Sequence, residues 1–395
     1  MFELIEKKPA RPAGLPEVAT SLQAGGEKAR IGKIKTKNGE ILTPFFMPDA
    51  TRGFVKSLAR ENLERANVGP MVVNAYHLYL QPGMEIVKKA QGINKFMNWP
   101  YPLLSDSGGY QIFSLIHKNP QNGKITDEKA IFKSPLNGSM HEITPEKSIQ
   151  IQFDLGADMM VVLDDVPPNN YSKEKIKDAV ERTIDWARRC KEEYEKQLKA
   201  RKISEENQPL IFGVIQGGGY SDLRKYCAEK LIKIGFDGYG FGARHIDAQG
   251  NFMEEVVRET ADLIPENSLR FALGVGTPED IVKFVSLGWD MFDCVIPTRE
   301  GRHGRLFVWN PGAELLDFQE LGSGKSFYET ININNEKFKD DFSPVDQNCG
   351  CELCRNHSRA YLKHLFATGD PLAMRLASIH NLKFYMELME KLRNI

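Results

Sequence analysis

Eight short apolar runs recur along the chain, at residues 42–47, 71–73, 102–104, 159–163, 211–215, 238–241, 271–275 and 291–296. They are too short for buried helices and lack the regular polar alternation of a half-exposed sheet, which is the pattern of strands covered on both faces. Between them lie segments with helical spacing. Thr144-Pro145-Glu146 and Thr277-Pro278-Glu279 each offer an N-cap hydroxyl, a proline at the first helical position and an acid in the first turn. Buried strands alternating with helices predict an α/β fold, a (β/α)8 TIM barrel. A doubly wound open sheet is the alternative, because periodicity does not show closure. No nucleotide-binding glycine fingerprint follows the first run.

A chain of 395 residues suits one large barrel with an appendage. The expected division is a loosely ordered segment over 1–30, the barrel over 31–304 and a C-terminal subdomain over 305–395. Residues 116–143 break the alternation with Gly, Pro and Asn, and read as an antiparallel hairpin inserted on the barrel rim. Residues 174–203 are charge-rich and helical, and their charges are expected to form a solvated face. The net charge of −1 means that any nucleic-acid contact must use local basic clusters. No apolar run approaches the roughly 18 residues of a membrane span, and the polar N-terminus has no signal-peptide core, so a cytoplasmic protein is expected.

Barrel chemistry sits where strands end at their C-terminal side. Those ends are Asn74, Asp106, Asp164, Gln216, Gly242, Gly274 and Asp293. Carboxylates and amides converging on one mouth exceed what solubility requires. The third run continues into Ser105-Asp106-Ser107-Gly108-Gly109-Tyr110-Gln111, where glycines let backbone approach a ligand and Tyr110 offers a ring for stacking. The last run carries Asp293 and opens onto Thr298, Arg299, Glu300, Gly301, Arg302 and Arg305, a basic, turn-rich tail. A buried carboxylate beside clustered cations suits a reaction on an anionic substrate.

Cys349-Gly350-Cys351-Glu352-Leu353-Cys354 places three thiols on one tight turn, with His380 later on a helix to complete a tetrahedron. That is a closed Cys3His site for one structural Zn2+, with His357 and His364 as rival fourth ligands.

Beyond these patterns, the stretches SDSGGYQIFSL, VVLDD, FGVIQGG, LGVGTPED, MFDCVIPTR and CGCELC with His380 resemble the tRNA-guanine transglycosylase family, bacterial type, in one order along nearly the whole chain. The resemblance implies a zinc-bearing barrel, usually a homodimer, that exchanges the wobble guanine of a tRNA anticodon for a 7-deazaguanine base. It makes Asp293 the nucleophile and Asp106 the general acid/base. It has Ser107, Gly108, Gly109, Tyr110, Asp164, Gln216, Gly242, Ala243 and Leu273 line the base pocket. Gly274, Val275, Gly276, Thr277, Pro278, Glu279, Asp280, Thr298, Arg299, Glu300, Gly301 and Arg302 would hold the RNA, and Cys349, Cys351, Cys354 and His380 the zinc.

The chemistry agrees with these implied roles. Keeping the β-linkage while exchanging a base needs two inversions at ribose C1′, which an attacking and then displaced carboxylate supplies. A second carboxylate can give a proton to the departing base and take one from the incoming base. Rival readings are a retaining glycosidase, which has little use for the basic tail, and a non-catalytic RNA-binding subunit, which is expected to lose the carboxylates kept here; a relative acting on DNA stays open, because both backbones present the same phosphates. The chain departs from the family at Asp165-Val166, at Ala75 and, most of all, at Arg244-His245-Ile246-Asp247-Ala248, where an acid-lined segment is expected. Ala248 stands where the family has Glu, so a cationic aminomethyl base is expected not to be the preferred one.

Overall fold

The structure is a computed structural model that describes residues 1–7, 28–168, 171–247, 249–310 and 326–394. Eight parallel strands form one sheet: β1 (Phe45–Pro48), β2 (Met71–Asn74), β3 (Leu103–Asp106), β4 (Met159–Val161), β5 (Leu210–Ile215), β6 (Gly238–Phe241), β7 (Leu269–Ala272) and β8 (Met291–Cys294). Each strand from β2 to β7 pairs with its chain neighbours, β8 returns to pair with β1, and a parallel bridge from Asp49 to Val72 joins β1 to β2. The Ala50 N–H donates to the Val72 carbonyl at 2.7 Å across that junction, so the sheet curves round into the expected barrel. Closure explains why the runs lack alternation: one face packs on the barrel interior, the other on the helices, and every residue of β5 is buried.

The first run divides at Pro44, which has no N–H to give to a ladder. Leu42, half exposed, belongs instead to Gly39–Thr43, the last strand of a separate antiparallel sheet with Phe2–Lys7 and Arg30–Thr36. Residues 2–7 are thus an ordered strand, whereas the segment 1–30 reads from sequence as loosely attached; residues 8–27 of it lie outside the described residues. Buried Arg30 ties this sheet to the barrel, donating to both carboxylate oxygens of Asp290 at 2.8 Å.

The rim insertion has three strands, Gly123–Ile125, Ala130–Lys133 and Met140–Ile143, where a hairpin was expected. The helix Lys173–Arg201 is not simply a solvated face. Arg182 pairs with Asp127 at 2.9 Å, Trp186 Nε1 donates to the Asp127 carbonyl at 2.6 Å, and Arg189 holds Glu146 and the Glu128 carbonyl, so the helix clamps the insertion. After β8 the chain turns into a helix, Ile296–Arg302, where a basic loop was expected. A second buried cluster, including Leu306, Ile333, Leu353 and Leu376, lies under the C-terminal helices. The long helix Pro371–Asn394 contributes to both clusters, through Leu376 and Ile379 to one and through Leu382, Tyr385 and Leu388 to the other. Among the described residues no helix is long and apolar enough to cross a membrane.

Candidate active site

Asp106 ends β3. Its carboxylate accepts from Asn74 Nδ2, at the end of β2, at 2.6 Å, and from the Ser107 and Gly108 N–H groups and the Gln111 side chain. Burial outweighs these donors and pushes Asp106 up to about 6. Gly108 has φ +83°, and a Cβ there would lie 2.4 Å from Tyr76 Cβ, so the turn after the acid admits only glycine. Ser107 is buried beneath it, while Gly109 opens the helix Gly109–Lys118 against the Asp164 carbonyl. Tyr110, in that helix's first turn, is 62% exposed, a ring face open for stacking.

Buried Asp164 follows β4 and accepts from Gln216 Nε2, just past β5, at 2.7 Å. Burial, aided by the charges of Asp106 and Asp165, pushes Asp164 up to about 7. Gln216 Oε1 is buried without a partner among the described residues. Gly242 follows β6 and must be glycine, since a Cβ would stand 2.6 Å from the Gln216 amide. Ala243 then adopts φ +71°, a left-handed conformation for a residue with a Cβ. Leu273, after β7, is partly exposed, its Cδ1 lying in the space that Gly240 leaves open.

Two groups escape the sequence reading. Arg224, fully buried in the helix Ser221–Ile234, donates to the Gly218 carbonyl at 2.7 Å and the Gly242 carbonyl at 2.9 Å, holding together the chain ends that follow β5 and β6. Its guanidinium lies 4.0 Å from the Phe241 ring centroid. An arginine at helical spacing reads as surface, so nothing in the pattern marks it. Asp49, directly after β1, is the other. Pro48-Asp49 follows the first run as Asp106 and Asp164 follow theirs, so the same pattern marks it.

Asp293 lies in β8, its Oδ1 accepting from the Gly274 N–H at 2.8 Å. Burial, and then the Asp49 charge, push it well above the usual carboxylate range. Burial and the Asp106 charge likewise push Asp49 up to about 6. Three carboxylates from β1, β3 and β8 therefore repel one another across the mouth, and each favours a state in which it, or its neighbour, holds a proton.

The other predicted contact residues divide by exposure. Val275, Gly276, Pro278, Thr298 and Gly301 are buried, Gly301 against Ser378, and can shape the backbone but not present a side chain. Thr277 caps the helix Pro278–Ser286, Glu279 accepts from Tyr328 Oη at 2.5 Å, and Asp280 lies 3.1 Å from His245 Nε2. Glu300 sits between Arg299 at 3.3 Å and Arg305 at 3.8 Å. Exposed Arg299 and Arg305, with half-buried Arg302 and exposed backbone at Gly274, remain as groups that can meet a polyanion.

The ligand atoms of Cys349, Cys351, Cys354 and His380 lie within 4.8 Å of one another. His380 Nδ1 is 3.3 Å from Cys354 Sγ and 3.6 Å from Cys351 Sγ, while Nε2 meets the Phe307 carbonyl at 2.8 Å. An imidazole with one nitrogen among thiols and the other bound to a carbonyl fits a tetrahedral metal site. His357 instead stacks on Tyr361, and His364 is not part of the group.

Comparison with known proteins agrees with this architecture. A sequence model described as queuine tRNA-ribosyltransferase matches residues 25–395. A queuine tRNA-ribosyltransferase of Halothermothrix orenii is 42% identical over 366 residues, covering 93% of this chain and 90% of its own. Those of a Thermoanaerobacter species and of Thermodesulfovibrio yellowstonii are 41% and 42% identical over 365 residues, covering 92% of this chain and 89% and 88% of theirs. With a family match across nearly its whole length and the barrel to go with it, the chain belongs to the queuine tRNA-ribosyltransferase family.

Proposed function

We propose that this protein exchanges the wobble guanine of tRNA for a 7-deazaguanine base by double displacement. Asp293 attacks ribose C1′, the glycosidic bond breaks, and the departing guanine takes a proton from Asp106. The incoming base gives a proton to Asp106, attacks C1′ and displaces the Asp293 carboxylate. Asp164 and Gln216 hold the base edge, Gly242 and Ala243 bring backbone against it, and Tyr110 and Leu273 flank its plane. Arg299, Arg302 and Arg305 take the phosphates around the flipped-out nucleotide.

The observation that carries this reading is the pair Asp293 and Asp106, on different strands, both pushed towards protonation by burial, with one steadied by a backbone N–H and the other by an amide. The unpartnered Gln216 Oε1 beside Asp164 adds a polar edge without a protein partner. The cysteine–histidine cluster holds one structural zinc, which when bound cross-links the C-terminal turn to the helix of His380. The working form is a homodimer, to be checked by light scattering in solution.

The inserted base follows from the segment after β6. Arg244 is exposed, and Asp247 spends its carboxylate on the Gln249 and Asn251 N–H groups and the Asn251 amide. Asp247 is thus oriented by its own turn and forms no ion pair with Arg244 among the described residues; Ala248 itself lies outside the described residues. A neutral or differently substituted 7-deazaguanine should therefore outcompete the aminomethyl base in kcat/KM, and Arg244→Leu should narrow the gap. Victory of the aminomethyl base over its nitrile counterpart and queuine would end this part of the reading.

Trapping tests the chemistry. Mixed with unmodified tRNA, the enzyme should give a denaturant-stable protein–RNA adduct with release of guanine. Asp293→Asn should abolish the adduct yet keep RNA affinity within about tenfold, or about 1.4 kcal/mol. A normal adduct yield from that variant moves the nucleophile elsewhere.

A further inference from the structure

Asp49 has no part in the reaction just described, yet its carboxylate is surrounded by protein at the mouth and keeps only partial contact with solvent. Among the described residues none donates a hydrogen bond to it; the influences on it are burial and the charge of Asp106. Its position is fixed on both sides. Asp293 of β8 pairs in register with Met47, and Asp49 itself bridges to Val72 of β2, whose end carries Asn74 opposite Asp106.

This places Asp49 on one arc of the mouth, between Asp293 and Asp106. The groups for the base edge, Asp164, Gln216 and Gly242, come from β4, β5 and β6 on the opposite arc. A nucleotide whose base is held there and whose C1′ is attacked by Asp293 must bring its sugar to the Asp49 side. A nucleotide inside a chain offers few partners on that side. Its O4′, O3′ and O5′ can only accept, and its phosphates are anions that a carboxylate repels. The one sugar donor is the 2′-hydroxyl, which is also what separates RNA from DNA.

Resting on the base-exchange reading above, we propose that Asp49 is a specificity residue: it accepts a hydrogen bond from the 2′-hydroxyl of the nucleotide being exchanged and so selects ribose over deoxyribose there. The bond helps most as the reaction proceeds. When Asp293 becomes an ester it loses its charge, so the mutual repulsion of Asp293 and Asp49 is relieved and the charged form of Asp49 becomes less costly. Positive charge growing on the sugar meanwhile makes the 2′-hydroxyl a better donor. No proton is transferred in this contact; the hydroxyl stays on the ribose.

The test uses two tRNA anticodon minihelices, identical except for 2′-deoxyguanosine at the exchanged position, with wild type, Asp49→Asn and Asp49→Ala. Labelled base incorporation gives kcat/KM, and thermal melting confirms that each variant is folded. Wild type should prefer the ribose substrate by about tenfold or more, the range of one lost polar contact at a polar site. Asp49→Ala should depress the ribose substrate more than the deoxyribose one, bringing the ratio towards one, with Asp49→Asn between. A folded variant whose ratio equals that of wild type, whether both rates fall together or neither changes, overturns the assignment. So does a wild type with no preference. Absence of exchange by wild type on the all-RNA minihelix overturns the base-exchange reading itself, so the two failures are distinct.

Discussion

Single residues at the mouth are held in states that an ordinary surface would not impose. Ala243 has φ +71°, and a left-handed conformation costs a residue with a Cβ about 1–2 kcal/mol. Glycine would remove that strain but add about 0.5–1 kcal/mol of backbone entropy to the unfolded chain. Ala243→Gly should thus raise stability by roughly 0.5–1 kcal/mol in urea denaturation, and a clear loss would show that the methyl has a packing role. Asp106 gives a pH signature. Its folded pKa, about 6, lies above the ordinary carboxylate value, so the fold favours the neutral acid. The group costs nothing below about pH 4, where both states are protonated; its cost grows as pH rises through 6 and is complete above that. Asp106→Asn removes the titration. The stability of the variant relative to wild type should rise by on the order of 2–3 kcal/mol between pH 4 and pH 7.5. An offset independent of pH would mean that burial does not shift this carboxyl.

Among the elements, the helix Pro371–Asn394 has the widest reach. Asn381 Oδ1 accepts from the Phe307 N–H at 3.1 Å, and its Nδ2 donates to the Pro297 and Arg305 carbonyls, each at 2.9 Å. Tyr385 Oη donates to the Gly276 carbonyl at 2.5 Å, and Arg393 to the Pro44 carbonyl at 2.7 Å. One helix thus holds the turns after β7 and β8 and the entry to β1, the strands that carry or flank Asp293 and Asp49. Asn381→Ala would leave two buried backbone groups and one part-buried carbonyl without this partner and should cost about 2–4 kcal/mol by chemical denaturation. A loss under 1 kcal/mol would mean that water replaces the amide. The helix Lys173–Arg201 has a parallel task for the rim: Arg182, Trp186 and Arg189 reach the insertion from one face.

Across the whole molecule, two buried clusters meet along that C-terminal helix, and the cysteine–histidine group ties its His380 to the turn at 349–354. Removing the metal should therefore be felt in the barrel. Chelation at pH 7.5 should lower Tm by several degrees and reduce adduct yield in parallel, through loosened support of Gly276 and Pro297. Full adduct yield from metal-free, folded protein would confine the metal to its own subdomain.

The sequence alone determined eight doubly buried strands alternating with helices, and made a barrel the first expectation over an open doubly wound sheet; closure itself came from the structure. It also marked Asp106, Asp164, Gln216 and Asp293, because a polar residue at or just past the C-terminal end of an apolar barrel strand points to the mouth. The cysteine–histidine group was legible in the sequence with His380 preferred over His357 and His364, and the fold brings His380 to the thiols as expected. Tertiary structure alone decided the rest. It turned residues 296–302 into a helix that buries Thr298 and Gly301, and it drew Arg224 inside to bind two carbonyls. It also set Asp49 beside Asp293, although 244 residues separate them in the chain (293 − 49). Periodicity reports which face of an element is buried. Which groups meet across the mouth depends on barrel closure, where the first strand pairs with the last, and no local pattern encodes that contact.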